Sequence, residues 1–239
     1  PWTKTNINGR LVDFWNLGEK QGTVLFKSFL NEVQGDVYSS FTALQEHIDF
    51  EAVEKNRVAI NEELEVKVWN IESGNKFWLV DYTTKIKSPL DSGVLFDTYR
   101  YGGGIGFRAT EKWHKANTSV LTSEGKDRLS ADGSSAKWAI IEGESKTKEG
   151  RSGILFMGFP DNKEFPEPMR VWPIDANEGR GDMFFEFCPI RHVEWKIENK
   201  KEYSLNYRLL IFDGEISAKQ AEMHWQGFAY PPNIKMISK

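Results

Sequence analysis

The sequence predicts an all-β protein, a large antiparallel β-sandwich with a short C-terminal helix. Apolar and charged residues alternate over residues 64–71, so that Leu64 and Val66 share one face, as in a half-buried strand. Short apolar segments recur along the chain, and Asn-Gly or Asp-Gly turn pairs separate many of them. Of the 239 residues, 39% are hydrophobic and 13% are aromatic, which is enough for one large core.

The segment 76–83 is rich in aromatic and β-branched residues, which suit a pleated strand. The segments 64–71 and 76–83 flank Ser73-Gly74 and are typical of a β-hairpin. In chain order, the expected strands are 10–15, 22–30, 36–43, 64–71, 76–83, 94–100, 105–109, 119–122, 136–141, 153–159, 169–172, 183–187 and 203–212.

One segment near the C-terminus has a helical composition. Residues 215–225 contain neither Gly nor Pro and are rich in helix formers, and Asp213 precedes them as the expected N-cap. The chain contains no internal repeat, low-complexity tract or Pro/Ser-rich linker. We therefore expect a single β-sandwich domain over residues 1–239.

Charge and cysteine content exclude several classes of protein. The 31 basic and 35 acidic residues are interspersed, giving a net charge of -4, so we expect no nucleic-acid partner. The apolar segments are far shorter than the roughly 20 residues of a membrane-spanning helix. The single cysteine, Cys188, excludes an internal disulfide, and its apolar surroundings favour a buried, inert thiol.

A glycine-rich block covers residues 99–108. Glycine-rich loops bind phosphate when they lead from a strand into a helix, but here a strand follows. The block is more typical of a backbone that bends or approaches another segment closely. In the following strand Ile105 and Phe107 should face the core, while Gly106 and Arg108 face a surface floored by glycine.

The next residues combine a carboxylate, an aromatic ring and an imidazole in Glu111, Trp113 and His114. Sugar sites use such sets, because aromatic rings stack on the apolar faces of a pyranose while charged groups bind its hydroxyls. A strand end with an exposed charged pair and a half-buried Trp explains the pattern equally well.

Two further segments place charged groups beside a turn or a Trp: Glu124 in a Ser-Glu-Gly-Lys turn, and Arg170 two residues before Trp172. For Arg170 a structural salt bridge is favoured over a ligand contact. The four histidines show no metal-ligand spacing, so no metal site is predicted, and the residues identify no cofactor.

Five segments together resemble a bacterial family of unknown function (DUF6807-type) that carries the label "methane oxygenase PmoA". They are residues 9–15 with 20–22, 101–108, 121–126, 170–173 and 207–214, and their order spans essentially the whole chain. The resemblance implies a galactose-mutarotase-like supersandwich. A genuine methane monooxygenase is excluded, because its membrane subunit requires transmembrane helices.

Members of that family resemble one another most in a His-His-Arg-Gly segment upstream of the stretch that matches Asp13-Phe14-Trp15. This chain starts at Pro1-Trp2, just after the position of that segment, so none of those histidines can be carried over onto it. It is either a truncated or processed piece or a divergent member without that site. We therefore expect a domain that lacks N-terminal strands present in the family.

The resemblance implies a saccharide site on the concave sheet, in a periplasmic or extracellular protein. In a mutarotase-like reaction one group removes the anomeric hydroxyl proton while another protonates the ring oxygen. The expected acid and base candidates are Glu111, His114 and Glu124; the expected ligand contacts are Tyr101, Arg108, Trp113, Arg170 and Trp172. The alternatives are a non-catalytic carbohydrate-binding or structural module of a larger enzyme, and a metal-dependent hydrolase or lyase with ligands upstream. The sequence predicts no oligomeric state.

Overall fold

The computed structural model describes residues 2–53, 57–71, 77–147 and 149–232. Its strands are β1 (Thr5–Ile7), β2 (Arg10–Val12), β3 (Gly22–Gln34), β4 (Tyr38–Asp49), β5 (Arg57–Trp69), β6 (Phe77–Lys87), β7 (Val94–Phe96), β8 (Gly106–Arg108), β9 (Thr118–Thr122), β10 (Ser135–Ala136), β11 (Trp138–Glu144), β12 (Arg151–Gly158), β13 (Glu167–Val171), β14 (Phe184–Phe187), β15 (Trp195–Ile197) and β16 (Glu202–Asp213). A 3-10 turn, η1 (Leu17–Glu19), follows β2, and the helix α1 (Ala218–Ala229) follows β16.

The strands form three antiparallel sheets. The large sheet has the strand order β3-β4-β5-β6-β16-β12-β11-β9. Two small sheets have the orders β15-β7-β1-β2 and β10-β13-β14-β8, and we call them the β7 sheet and the β14 sheet. Apolar side chains of all three sheets pack into one buried cluster, for example Val12, Phe185 and Tyr207. The two small sheets thus cover one face of the large sheet, which confirms the predicted all-β sandwich.

The helix α1 packs on the opposite face of the large sheet. Its buried residues Ala221, Trp225 and Ala229 are four positions apart and form a single stripe along the helix. They join a second apolar cluster with Trp138 and Leu155 of the large sheet. Both faces of these central strands are therefore covered, which explains their continuous apolar sequence.

The helix begins later than expected. Its N-cap is Ser217, whose hydroxyl accepts the backbone N–H of Gln220, while the Gln220 side chain accepts the backbone N–H of Ser217. The predicted cap, Asp213, is wrong, because Asp213 pairs with Ser152 as the last residue of β16. The predicted C-terminal helix itself is confirmed.

The predicted hairpin of β5 and β6 is confirmed, with Val68 opposite Val80. Its expected turn at Ser73-Gly74 lies outside the described residues. Two strands of only three residues, β1 and β15, were not predicted, because three residues are too short to show an alternation. Within the described ranges no helix is long and apolar enough to cross a membrane.

We predict that Trp225→Ala destabilises the fold by about 3–5 kcal/mol, the usual cost of deleting a buried Trp. Trp225 is 3% exposed, lies parallel to Phe165, and donates its indole N–H to the carbonyl of Gly158 at 3.0 Å. Equilibrium denaturation measures the change. Met223→Ala on the exposed side of the same helix is the control and should change stability by less than about 0.5 kcal/mol. Equal effects of both variants would contradict the docking of α1.

Candidate functional site

An open cavity of about 870 Å³ lies between the two small sheets. Their edge strands, β2 and β8, both contribute to its wall, and Tyr82 of the large sheet contributes from behind. Its lining residues are Thr3, Lys4, Leu11, Asp13, Trp15, Asn16, Glu19, Gln21, Tyr82, Tyr99, Tyr101, Gly102, Gly103, Gly104, Ile105, Gly106, Arg108, Trp172, Phe184 and Glu186. The volume falls within the range of small-molecule sites.

The glycine block forms one side of this cavity. Gly102, Gly103 and Gly104 all have positive φ angles, and the strand β8 follows them. A Cβ atom on Gly103 would lie 1.9 Å from the ring of Trp2, and one on Gly104 would lie 2.0 Å from the carbonyl oxygen of Phe187. Both the close approach and the strand that were predicted for this block are therefore confirmed. We call residues 101–104 the glycine loop.

The β14 sheet turns a polar face towards the cavity. Phe107, Phe185 and Val171 lie opposite one another on the face that packs into the core. On the other face, Gly106 lies opposite Glu186, and Arg108 lies beside Phe184 and Trp172. The outward direction predicted for Gly106 and Arg108 is confirmed.

Three side chains on this face are stacked. The rings of Trp172 and Phe184 lie 5.2 Å apart with an angle of 29° between their planes. The guanidinium carbon of Arg108 lies 4.8 Å from the centre of the Trp172 ring. Because Arg108 and Phe184 already flank Trp172, this ring forms part of a wall rather than a free stacking surface.

The hydroxyl of Tyr101 joins the glycine loop to this wall. It accepts a hydrogen bond from Arg170 Nη2 at 3.1 Å and one from the indole N–H of Trp172 at 3.0 Å. Arg170 also pairs with Asp132 at 2.9 Å, and Asp132 pairs with Arg191. Arg170 is buried behind the lining, so the structural salt bridge favoured for it is present.

Three described carboxyl groups line the cavity, those of Asp13, Glu19 and Glu186, and the one of Glu186 is buried. One of its oxygens, Oε1, accepts the backbone N–H of Gly102 at 2.9 Å. The other, Oε2, is buried and has no hydrogen-bond partner among the described residues. Burial raises the pKa of Glu186 to about 7, although the Gly102 hydrogen bond, the Cys188 thiol and the charge of Arg170 oppose this shift. Near neutral pH this carboxyl can therefore either hold or release a proton.

The segment that follows β2 forms the facing part of the lining. Asp13 Oδ1 accepts the backbone N–H groups of Trp15 and Asn16 at 2.8 and 2.9 Å. This turn holds the Trp15 ring at the cavity, where 59% of the residue is exposed. Trp15 therefore offers an open aromatic surface of the kind that was expected of Trp172.

Four predicted site residues do not line the cavity. Trp113 packs on Gly143 and donates its indole N–H to the carbonyl of Glu144 at 2.8 Å. His114 lies in the next turn, where its Nδ1 accepts the N–H of Ala116. The carboxylates of Glu111 and Glu124 lie in exposed turns. The structure thus brings Tyr101, Arg108 and Trp172 together, with Arg170 behind them, but not these four.

Sequence reasoning missed Glu186 and the open ring of Trp15. A carboxylate inside Phe184-Phe185-Glu186-Phe187 is unusual for a buried strand, and this was the available signal. Across the part of the chain that the structure describes, no three His, Cys, Asp or Glu side chains form a group able to hold a metal ion.

We predict that Gly104→Ala destabilises the protein more than Gly125→Ala does. Both glycines have positive φ angles, so both variants lose about 1–2 kcal/mol through backbone strain. Only Gly104 would bring a Cβ atom against a backbone carbonyl, whereas Gly125 has open space around it. Equilibrium unfolding should therefore show an additional loss of at least about 1 kcal/mol for Gly104→Ala. Equal losses would show that the glycine loop can move away from the Phe187 carbonyl without a loss of stability.

We predict that Glu186→Gln changes how stability depends on pH. The folded pKa of about 7 lies above the reference value of 4.5, so the native state holds this proton more tightly than the unfolded state. The stabilisation of the native state by this proton is fully present below about pH 4.5 and is lost as the pH rises through 7. It amounts to roughly 3 kcal/mol. Wild-type stability should thus fall relative to Glu186→Gln over that interval in denaturant titrations.

Glu124→Gln, at an exposed carboxyl outside the cavity, is the matched control. If Glu186→Gln and wild type kept the same stability difference from pH 4.5 to 7, the buried state of this carboxyl would be contradicted.

Several solved structures align with most of this chain at low similarity. Heparan sulfate lyase HepC from Pedobacter heparinus aligns with 90% of this chain and 24% of its own, at a TM-score of 0.41 and 8% identity. The GH36 α-galactosidase AgaB from Geobacillus stearothermophilus aligns with 90% of this chain and 30% of its own, at a TM-score of 0.44 and 6% identity. The α-galactosidase from Lactobacillus brevis aligns with 81% of this chain and 27% of its own, at a TM-score of 0.42 and 8% identity.

These carbohydrate-processing enzymes are thus three to four times as long as the region that this chain matches. At such TM-scores and identities, neither a ligand nor an activity transfers to this chain. No curated protein sequence matches it. The model of a family of unknown function, DUF6807, matches residues 1–226. The chain therefore belongs to the DUF6807 family.

Proposed function

We propose that this protein binds a saccharide in the cavity between the two small sheets. The observation that carries the proposal is the open ring of Trp15 beside a wall of hydrogen-bonding groups. Sugars present apolar C–H faces and polar hydroxyl edges, and they bind where an aromatic surface adjoins donors and acceptors. A volume of about 870 Å³ accommodates one or two sugar rings.

Polar groups of the lining match the hydroxyls of such a ligand. Glu186 Oε2 has no partner among the described residues, and the guanidinium of Arg108 lies at the cavity wall. Asp13 and Glu19 supply carboxylate oxygens from the facing segment. A ligand that enters the cavity would offer acceptors to the exposed guanidinium of Arg108, and this favours a polar ligand over an apolar one.

The raised pKa of Glu186 favours catalysis as a second candidate function. A carboxyl group with a pKa of about 7 is suited to proton transfer at neutral pH. In a mutarotase-like reaction Glu186 would protonate the ring oxygen, while Asp13 or Glu19 on the facing segment would take the anomeric hydroxyl proton. This assignment replaces Glu111, His114 and Glu124, which do not line the cavity.

Turnover separates the enzyme from the non-catalytic module. A glycan array identifies ligands, and NMR of each bound sugar then measures anomerisation or cleavage. Turnover that Glu186→Gln abolishes without loss of binding would support the enzyme. Saturable binding without turnover would support the module.

We predict that Trp15→Ala weakens binding of the array-identified glycan at least tenfold, or about 1.4 kcal/mol, because the stacking surface is lost. Isothermal titration calorimetry measures the affinity. Trp78→Ala is the matched control, since Trp78 is 44% exposed on β6 and does not line the cavity. Equal affinity of wild type and Trp15→Ala would contradict the proposed site. Absence of binding to any glycan would contradict the proposed function itself.

A further inference from the structure

The guanidinium of Arg108 lies at the cavity wall and stacks on aromatic rings. Six other arginines of the described chain form ion pairs with carboxylates: Arg10, Arg151, Arg170, Arg180, Arg191 and Arg208. Arg108, like Arg100, forms no ion pair or side-chain hydrogen bond with a described residue, and its guanidinium lies over the rings of Trp172 and Phe184. Stacking restrains the guanidinium plane and leaves its N–H edges available to a ligand.

A second cation without a carboxylate partner lines the same cavity. The ammonium of Lys4 lies 5.6 Å from the centre of the Tyr99 ring and has no ion pair among the described residues. The acids of the facing segment do not pair with either cation. Asp13 instead accepts hydrogen bonds from two backbone N–H groups, and Glu19 accepts one from the side-chain amide of Asn16. A neutral ligand would cover these cations without compensating their charge, which is costly.

The register of β8 and β14 places Arg108 and Glu186 on one face of the β14 sheet. Arg108 lies opposite Phe184, and Gly106 lies opposite Glu186, so Arg108 and Glu186 are diagonal neighbours. Such neighbours are about 7–8 Å apart. The Glu186 side chain lies over Gly106, since a Cβ atom on Gly106 would be 3.5 Å from Glu186 Cγ. A ligand carboxylate on this face can direct one oxygen towards the guanidinium and the other towards the Glu186 carboxyl.

We propose that the saccharide bound here is acidic, and that Arg108 and the carboxyl group of Glu186 together bind its carboxylate. This inference rests on the proposed function and specifies the class of its ligand. Arg108 supplies the charge, and Glu186 donates a hydrogen bond to the second oxygen. An ionised Glu186 would repel the ligand carboxylate. Glu186 must therefore be protonated for the acidic ligand to bind.

The charged and titratable groups around Glu186 define the pH dependence. They are Tyr101 from the glycine loop, Arg108 from β8, Glu167 and Arg170 from β13, and Cys188, which follows β14. Burial raises the pKa of Cys188, which keeps the thiol neutral. Burial also raises the pKa of Glu167 to about 8, but Glu167 does not line the cavity. Glu186, with its pKa of about 7, lines the cavity and changes charge between pH 6 and pH 8.

Calorimetric titration with digalacturonate and with its carboxyl-reduced, neutral counterpart tests the inference. We expect the acidic disaccharide to bind at least tenfold more tightly at pH 6. Its affinity should fall about tenfold between pH 6 and pH 8, following the protonated fraction of Glu186. In Glu186→Gln, which keeps a neutral hydrogen-bond donor, the affinity should become independent of pH over this range.

Arg108→Gln should remove the preference for the acidic disaccharide, and Arg108→Lys should restore part of it. Arg180→Gln, at an exposed arginine outside the cavity, is the matched control and should keep the preference. Acetate as a free carboxylate should bind at least a hundredfold more weakly, since it lacks the sugar ring.

Equal affinity for the acidic and the neutral disaccharide would overturn this inference and leave the proposed function intact. Tighter binding of a sulfated neutral disaccharide, or an affinity that does not change with pH in wild type, would overturn it as well. Absence of binding to every saccharide, both in these titrations and on the glycan array, would instead reject the proposed function.

Discussion

The close approach of the glycine loop to β14 is the constraint on which the cavity depends. Gly104 lies directly against the carbonyl oxygen of Phe187, and Gly103 lies against the ring of Trp2. Side chains at these positions would lift the loop from the sheet. The N–H of Gly102 would then lose Glu186, and the hydroxyl of Tyr101 would lose Arg170 and Trp172. The contact between Gly104 and the Phe187 carbonyl therefore positions both the Glu186 carboxyl and the Tyr101 hydroxyl at the cavity.

The same loop determines the charge of the site. It covers Glu186 and thereby removes water from the carboxyl, which raises its pKa, while a single backbone N–H compensates only one oxygen. Arg170 lies nearby, but Asp132 already neutralises it. Arg108 keeps its charge without a described carboxylate partner, on the open side of the same strand pair. The cavity therefore combines a carboxyl that readily holds a proton with a cation that is available to a ligand.

The sequence predicted the fold better than the site. Alternation and turn pairs predicted most strands, because the order of apolar and polar residues within a single strand shows which of its faces is buried. The outward direction of Arg108 followed from the same period of two. Glu186 and Trp15 could not be recognised as partners, since they lie 171 positions apart (186 − 15) and meet only across the two small sheets. Glu111, His114 and Glu124 stood out through composition alone, which does not reveal which face of the fold a turn occupies.

The position of the cavity follows from an imbalance between the two layers. Eight strands form a continuous large sheet, but the opposite layer consists of two sheets of four strands that do not pair with each other. Hydrogen bonds between β2 and β8 would join the two small sheets and close the gap that the cavity occupies. The unpaired edges of β2 and β8 are instead separated by the cavity, with Tyr82 of the large sheet behind them. Open strand edges can associate with other chains, and β2 and β8 are edges of this kind that the small sheets leave beside the cavity.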